Sequence, residues 1–353
     1  MRWAFISLAG QPINTMIMKI HLVNMTSAAL ICLSLLGCSK NDDIVVGISM
    51  GPTHERWLKD ISYLTQHLEA QNAKVIVREA NGSQVEQARQ TKEMIDKEKP
   101  DVLIIVPVNS DAAGKLVDYA KARDIDVIAY DRIIKNCDLD CYLSFDNVRI
   151  GEMQAEYLTK IKPQGTYALL GGDPGDNNSL LLRIGQMNIL QPLIIRGDIK
   201  IVMDENVEKW DDGIAYQIMK DYLKENEPPD AIIASSDGLS RGAARALMEM
   251  GVEKKVLLSG QDAETDACKR IVNGQQTMTV YKVIESLAAS AANIAILLAN
   301  DEPIPNTLAT VNNGIKMVPA VLVSSIIPVG EENIRMTVIA DGFIDEKEVF
   351  GNE

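Results

Sequence analysis

Ile44-Val45-Val46-Gly47-Ile48-Ser49-Met50 opens a pattern that holds for most of the chain. This short apolar, β-branched run is followed by an amphipathic helical pattern over Glu55–Gln71. A second run at Lys74–Arg78, a second helical pattern at Ser83–Glu98 and the wholly apolar run Val102–Val106 come next. Strands that are apolar without alternation are buried on both faces, and the helices between them are the crossovers of a parallel sheet. The pattern continues through Asp126–Ala129, Thr166–Leu170, Ile199–Met203, Ala231–Ala234 and Val256–Ser259. About ten such strands are more than one sheet carries comfortably, so the predicted architecture is α/β with two doubly wound parallel-sheet lobes. No Pro/Gly-rich linker or short repeat interrupts the series, which points to lobes joined by chain crossings and not by a tether. After a helical stretch at Val283–Asn300, short apolar runs at Val318–Ile327 and Met336–Ile339 are expected to cap one lobe.

Composition excludes some classes of function. The 353 residues are 46% hydrophobic and 24% charged, ordinary for a globular protein. Taking the two cations of the first 37 residues (Arg2, Lys19) from the chain's 35 leaves 33 against 49 acids, a net charge of −16. A nucleic-acid partner is excluded on that balance, because no dense cationic footprint exists to neutralise phosphates. Those first 37 residues read as an export signal: Lys19 precedes the apolar run from Met25 to Leu36, which ends in small residues at Gly37-Cys38-Ser39. Met16 or Met18 is a candidate start. Cys137 and Cys141 bracket Asp138-Leu139-Asp140 and outside the cytoplasm could close a small disulfide loop or stand as two free thiols. They offer only half of a tetrahedral zinc shell, with no histidine nearby, so neither a metal nor a cofactor is expected. Cys268 lies in a helical pattern and is read as a small core residue.

Polar residues gather where open parallel sheets bind ligands, outside the carboxyl ends of the strands. Asp131-Arg132 follows Val127–Tyr130, Asn177-Asn178 closes a glycine-rich turn after Leu170, Asp237 follows Ile232–Ser236, Asp262 follows Leu257–Gln261, and Lys282 ends Thr277–Tyr281. Each acid alone could be the N-cap of the next helix. Together these groups make planar, directional hydrogen bonds to vicinal hydroxyls. Past the leader only two tryptophans remain, Trp57 and Trp210, and both have charged neighbours. An aromatic plate beside hydrogen-bonding charges suits a polar ligand with an apolar face, such as a sugar. Gly47-Ile48-Ser49-Met50-Gly51 matches the G-x-S-x-G elbow of serine hydrolases, but the last histidine of the chain is His67, whereas that fold needs one late in the chain.

The strings Glu55-Arg56-Trp57, Glu79-Ala80-Asn81-Gly82, Ala129-Tyr130-Asp131-Arg132, Ser144-Phe145-Asp146-Asn147, Asp176-Asn177-Asn178, Ser259-Gly260-Gln261-Asp262-Ala263, Gln276–Lys282 and Asn312-Asn313-Gly314 occur in this order. Over about Ile44 to Phe343 the chain thereby resembles the D-xylose-binding proteins of bacterial ABC transporters, within the type I periplasmic binding proteins related to ribose binders. Leu35-Leu36-Gly37-Cys38 likewise resembles a bacterial lipoprotein signal, implying cleavage before Cys38, its lipidation, and tethering at the periplasmic or extracellular face of the cell membrane. The resemblance implies two lobes closing on a monosaccharide, most simply an aldopentose such as xylose, with no chemistry performed. It implies crossings near Phe145-Asp146, Gly260-Gln261 and Tyr281-Lys282, hence a first lobe of residues 38–144 plus 262–282 and a second of 145–261 plus 283–353. It carries over Arg56, Trp57, Asp131, Arg132 and Lys282 as sugar-facing residues from the first lobe. Asn177, Asn178, Trp210 and Asp237 face them from the second, with Asp262 near the hinge; Phe145 is a hinge-packing residue or a third aromatic wall. The implied partner is an ABC permease, or alternatively a membrane sensor such as a histidine kinase or chemoreceptor. Departures from the family pattern fall at Ser49–Thr53, at Val108-Asn109-Ser110 and at Ser236.

Overall fold

The computed structural model describes residues 43–52, 55–305 and 309–351. The expected leader and Cys38 lie outside them. The first lobe opens with β1 (Val45–Met50), α1 (Glu55–Glu69), β2 (Lys74–Glu79), α2 (Gln84–Glu98), β3 (Val102–Val106), α3 (Gly114–Lys121), β4 (Asp126–Tyr130) and β5 (Cys141–Phe145). The chain then crosses into the second lobe with α4 (Asn147–Ile161), β6 (Gly165–Gly171), α5 (Asn177–Ile195), β7 (Ile199–Asn206), α6 (Asp212–Glu225), β8 (Ala231–Ala234), α7 (Asp237–Glu249), β9 (Leu257–Leu258), α8 (Thr265–Val272) and β10 (Thr279–Lys282). It returns with α9 (Ile284–Ala299), β11 (Ala309–Asn312) and β12 (Met317–Val323), then crosses again to β13 (Ile326–Val329) and α10 (Glu346–Phe350).

Two parallel sheets result, as the unbroken apolar runs predict. The first has the order β2-β1-β3-β4-β5-β12-β11, parallel throughout except for β11, which runs antiparallel to β12. The second is β7-β6-β8-β9, wholly parallel. β10 and β13 form a separate antiparallel ribbon. All five residues of β3 are 0% exposed, which requires cover on both faces. One face receives α9, whose Leu287, Ala288, Ala291, Ala292 and Ala295 are buried and small enough to let it lie close over β3, β4 and β5 beside α1.

The lobe boundaries differ from the sequence expectation. Gly260-Gln261 is not a crossing, because β9 before it hydrogen-bonds to β8 and α8 after it packs on α7 and α10. The crossings are at Phe145–Asn147, Lys282–Ile284 and Val323–Ile326, the last two tied together by the Val283 N–H donating to the Ser325 carbonyl at 3.0 Å. Segment 262–282 therefore packs with the second lobe, and 283–323 returns to the first. Two needs draw it back: the apolar α9 must be buried, and the edge of β5 must be paired, which β12 does in parallel from Ala320↔Tyr142 to Val323↔Phe145. The tail does cap the second lobe, but only from β13 onward. Cys137, Cys141 and Cys268 are free, buried thiols, so the optional disulfide is not formed. Burial pushes the Cys137 and Cys141 thiols up to about 12, where neither is a nucleophile or a metal ligand at neutral pH.

The second lobe depends on two glycines where α4 crosses α5. A Cβ on Gly151 would stand 2.1 Å from the Leu182 carbonyl oxygen, and one on Gly185 would stand 1.9 Å from that of Val148. Since neither backbone can yield locally, Gly185→Ala is expected to force the helices apart at a cost of about 2 kcal/mol. A thermal melt of the ligand-free protein should show a midpoint several degrees lower; an unchanged midpoint would refute the close approach.

Candidate ligand-binding site

The strand ends of both sheets meet at a small cavity between the lobes. β1 delivers Arg56 and Trp57 on the first turn of α1, and β4 delivers Asp131 and Arg132. From the second lobe, the turn after β6 delivers Asp176 and Asn178, the turn after β7 delivers Trp210, the end of β9 leads to Gln261 and Asp262, and β10 ends in Lys282. Asn147, Ser236, Gly238 and Glu264 complete the lining. Three non-glycine lining residues hold positive φ: Asp131 at 61°, Trp210 at 56° and Asp262 at 103°. Backbone in this region is disfavoured for side chains with a Cβ and is held there by its surroundings.

Arg56 organises the charges. Its Nη2 donates to Asp131 Oδ2, its Nη1 lies 3.5 Å from Asp262 Oδ1, and its Nε faces Asp60 Oδ2 at 3.2 Å, out of line for a hydrogen bond. Lys282 Nζ reaches Asp262 Oδ1 at 2.7 Å, and the Tyr130 hydroxyl donates to Asp60 Oδ1 at 2.6 Å. Burial pushes Asp60 up to about 6 against the pull of Arg56. Burial also acts on Asp131 and Asp262, but there Arg56 and Lys282 outweigh it and hold both carboxyls below the usual range. The cavity thus presents two ionised carboxylates with their cations already in place.

At the cavity, three pairs of described residues bridge the lobes. Arg132 Nε pairs with Asp176 Oδ2 at 2.8 Å, Asn178 Nδ2 donates to Asp131 Oδ1 and to its carbonyl, both at 3.1 Å, and Arg56 approaches Asp262. The tryptophans wall the cavity and are 5% and 9% exposed. Trp57 has the Arg56 guanidinium 4.4 Å from its ring centroid. Trp210 donates from Nε1 to Asp176 Oδ2 at 3.2 Å, and its ring lies against Gly172, where a Cβ would come within 2.1 Å of the indole.

Eight of the ten sugar-facing residues carried over from the sequence line this cavity: Arg56, Trp57, Asp131, Arg132, Asn178, Trp210, Asp262 and Lys282. Asn177 does not; it is the first residue of α5 and half-buried. Asp237 does not either. It is 0% exposed, with Oδ1 accepting from Gln276 Nε2 at 2.8 Å and Oδ2 from Thr279 Oγ1 at 2.9 Å and the Glu264 N–H at 3.0 Å. Its oxygens are spent inside the lobe, and burial raises its carboxyl well above the usual range. Phe145 packs beneath Lys282, 5.6 Å from ring centroid to Nζ, and is no third wall. Among the departures from the family pattern, Ser236 lines the cavity while capping α7, whereas Ser49 to Pro52 and Val108 to Ser110 do not reach it. Asp176 was hidden because it reads as a helix cap, and it is one: it accepts from the Asn178 N–H at 3.0 Å and pairs with Arg132 as well. Ser49 is 2% exposed, bonded to Thr91 Oγ1 at 2.7 Å and receiving Gln87 Nε2 at 3.2 Å, which is a packed polar cluster and not an open elbow.

Two parallel-sheet lobes joined by three crossings, with a polar, tryptophan-walled cavity at their strand ends, define a hinged solute-binding protein. The chain belongs to the periplasmic binding protein family, whose domain profile matches residues 46–303. Its relatives include the D-xylose-binding periplasmic protein of Haemophilus influenzae, 46% identical over 310 residues that span 87% of this chain and 92% of that protein. The protein of the same name from Escherichia coli is 42% identical over 94% of this chain and 100% of its own. Among solved structures, an ABC transporter solute-binding protein from Clostridium phytofermentans with bound β-D-glucose superposes with a TM-score of 0.82 at 26% identity, covering 86% of this chain and 99% of that one. Membership of that family makes the chain a solute-binding protein and not an enzyme. Among the described residues no helix is long and apolar enough to cross a membrane, and no cluster of three metal-ligating side chains occurs.

Glu264 lends the site a pH signature. Burial raises its carboxyl from 4.5 to about 7, with Arg241 opposing. The folded protein therefore holds a proton that the unfolded chain releases, so this stabilisation is full below about pH 4.5 and is lost as the pH rises through about 7. Glu264→Gln, which cannot ionise, should flatten the decline in melting midpoint over that window. Equal slopes in the two proteins would rule out Glu264 as the titrating group.

Proposed function

We propose that this protein binds an aldopentose, D-xylose foremost, by closing its lobes over the sugar, and presents the closed form to an ABC permease. The observation that carries the reading is the cavity itself, in which tryptophans stand beside ionised carboxylates already matched with cations. A pyranose offers apolar faces for the rings and a rim of hydroxyls for the charges. Asn178 Oδ1 is buried without a hydrogen-bond partner among the described residues, and a sugar hydroxyl supplies the donor it lacks. The names of the two relatives at 46% and 42% identity favour xylose among sugars.

In the mechanism that follows, the sugar meets one lobe first and the other folds over it at the three crossings, replacing water on Arg56, Asp131, Asp262 and Lys282 with hydroxyls. Closure then forms Arg132–Asp176 and Asn178–Asp131 across the seam, so ligand and latch shift the same equilibrium. Calorimetry with xylose, ribose, arabinose and glucose tests the assignment, xylose being expected to bind most tightly. Asp262→Asn should weaken it by roughly 10- to 100-fold, since hydrogen bonds to charged groups contribute about 1.5–3 kcal/mol. Trp57→Ala and Trp210→Ala should each weaken it while both lobes stay folded. No heat from any sugar would sink the reading.

Tethering through a lipidated Cys38 is the second part of the proposal, supported by the lipobox-like Leu35-Leu36-Gly37-Cys38. Fractionation of cells making Cys38→Ser should move the protein from membranes to the soluble extracytoplasmic fraction; a membrane-bound variant would refute the anchor.

A further inference from the structure

Asp237, which does not reach the cavity, holds the segment that does. The Asp237 N–H donates to the Gln261 carbonyl at 2.9 Å, the Asp262 N–H to Val280 at 2.9 Å, and the Val280 N–H to Gly260 at 3.1 Å. Gln154 Nε2 adds a bond to the Gly260 carbonyl at 3.0 Å. Gly260 is pressed so closely on Asp237 that a Cβ there would lie 1.9 Å from Oδ1. With its backbone fixed by these bonds, Gln261 stands in the cavity wall, 5% exposed, and its Oε1 is buried with no hydrogen-bond partner among the described residues.

Among the described wall residues only Asn178 likewise keeps a buried amide oxygen unpaired, and the others are differently placed. Asn147 spends its Nδ2 on Ser144 Oγ and the Phe145 carbonyl at 3.2 and 3.3 Å. Asp131 and Asp262 already face Arg56 and Lys282. A buried amide oxygen left unpaired is costly and rare in folded proteins, and a rigid one at a cavity wall is matched to a donor that arrives from outside.

We propose that Gln261 is a specificity-determining residue whose amide oxygen accepts one hydroxyl of the bound sugar, with Asp237 behind it as a positioning residue. This rests on the sugar reading above. Because no cation stands by to satisfy this oxygen, a sugar lacking that hydroxyl, or carrying it in the opposite configuration, leaves it unpaired. Discrimination at this position is therefore sharper than at the pre-paired carboxylates.

The test is calorimetry of the wild type and Gln261→Met, which keeps length and volume, against D-xylose and its 2-, 3- and 4-deoxy analogues. The variant should bind xylose at least about tenfold more weakly. For one deoxy analogue the variant should bind at least as well as the wild type, because the hydroxyl that Gln261 would accept is already absent. The sugar-free melting midpoint should not fall; if Gln261→Met lacks a cooperative melt, Gln261→Leu takes its place in the same comparison. Unchanged xylose affinity in the variant, or the same loss for xylose and every analogue, overturns the assignment while leaving the sugar reading intact. A wild type that binds none of the sugars overturns both.

Discussion

A guanidinium held out of water among three carboxylates is the constraint on which the rest of this protein depends. Arg56 is buried, and its neighbours Asp60, Asp131 and Asp262 come from α1, the end of β4 and the end of β9. Removing such a charge from water is affordable only if the geometry supplies its partners, and each partner here is placed by a different strand or helix. Asp262 comes from the other lobe. The ion cluster is therefore complete only when the lobes meet, and opening must hand Arg56 back to water or to Asp60 and Asp131 alone.

That arrangement divides the carboxylates by task. Asp60, deep and bonded to Tyr130, is raised to about 6 and anchors the cluster from below. Asp131 and Asp262 stay ionised because two cations outweigh their burial, and they are the members of the cluster that line the cavity. Asp237 is spent within the second lobe on the residues that aim Gln261. The positive φ of Asp131 and Asp262 fits this account: such conformations persist where the surroundings over-determine them.

Much of this was legible in the sequence, for a physical reason. Unbroken, β-branched apolar runs as short as Val102–Val106 read as strands covered on both faces, and the polar residues just past them as candidates for the rim. Which lobe each late segment joins was not legible, because β12 beside β5 is a pairing across more than 170 residues that no local periodicity records. Nor could the sequence separate Asp262 from Asp237. Both follow a strand, and only packing shows that one faces a cavity while Thr279 and Gln276 surround the other. Asp176 was passed over because helix capping and ligand-rim duty use the same residue type.

The returning segment has a consequence for how the protein comes into being. α9 and β12, which cover the first sheet and close the edge of β5, are made after the whole of β6–β10. The lobe that begins at the amino terminus is therefore among the last parts to be completed as the ribosome proceeds. Until then it presents an uncovered apolar face and an unpaired strand. A chain built in this order keeps its earliest half without a finished core until most of the remainder has been made.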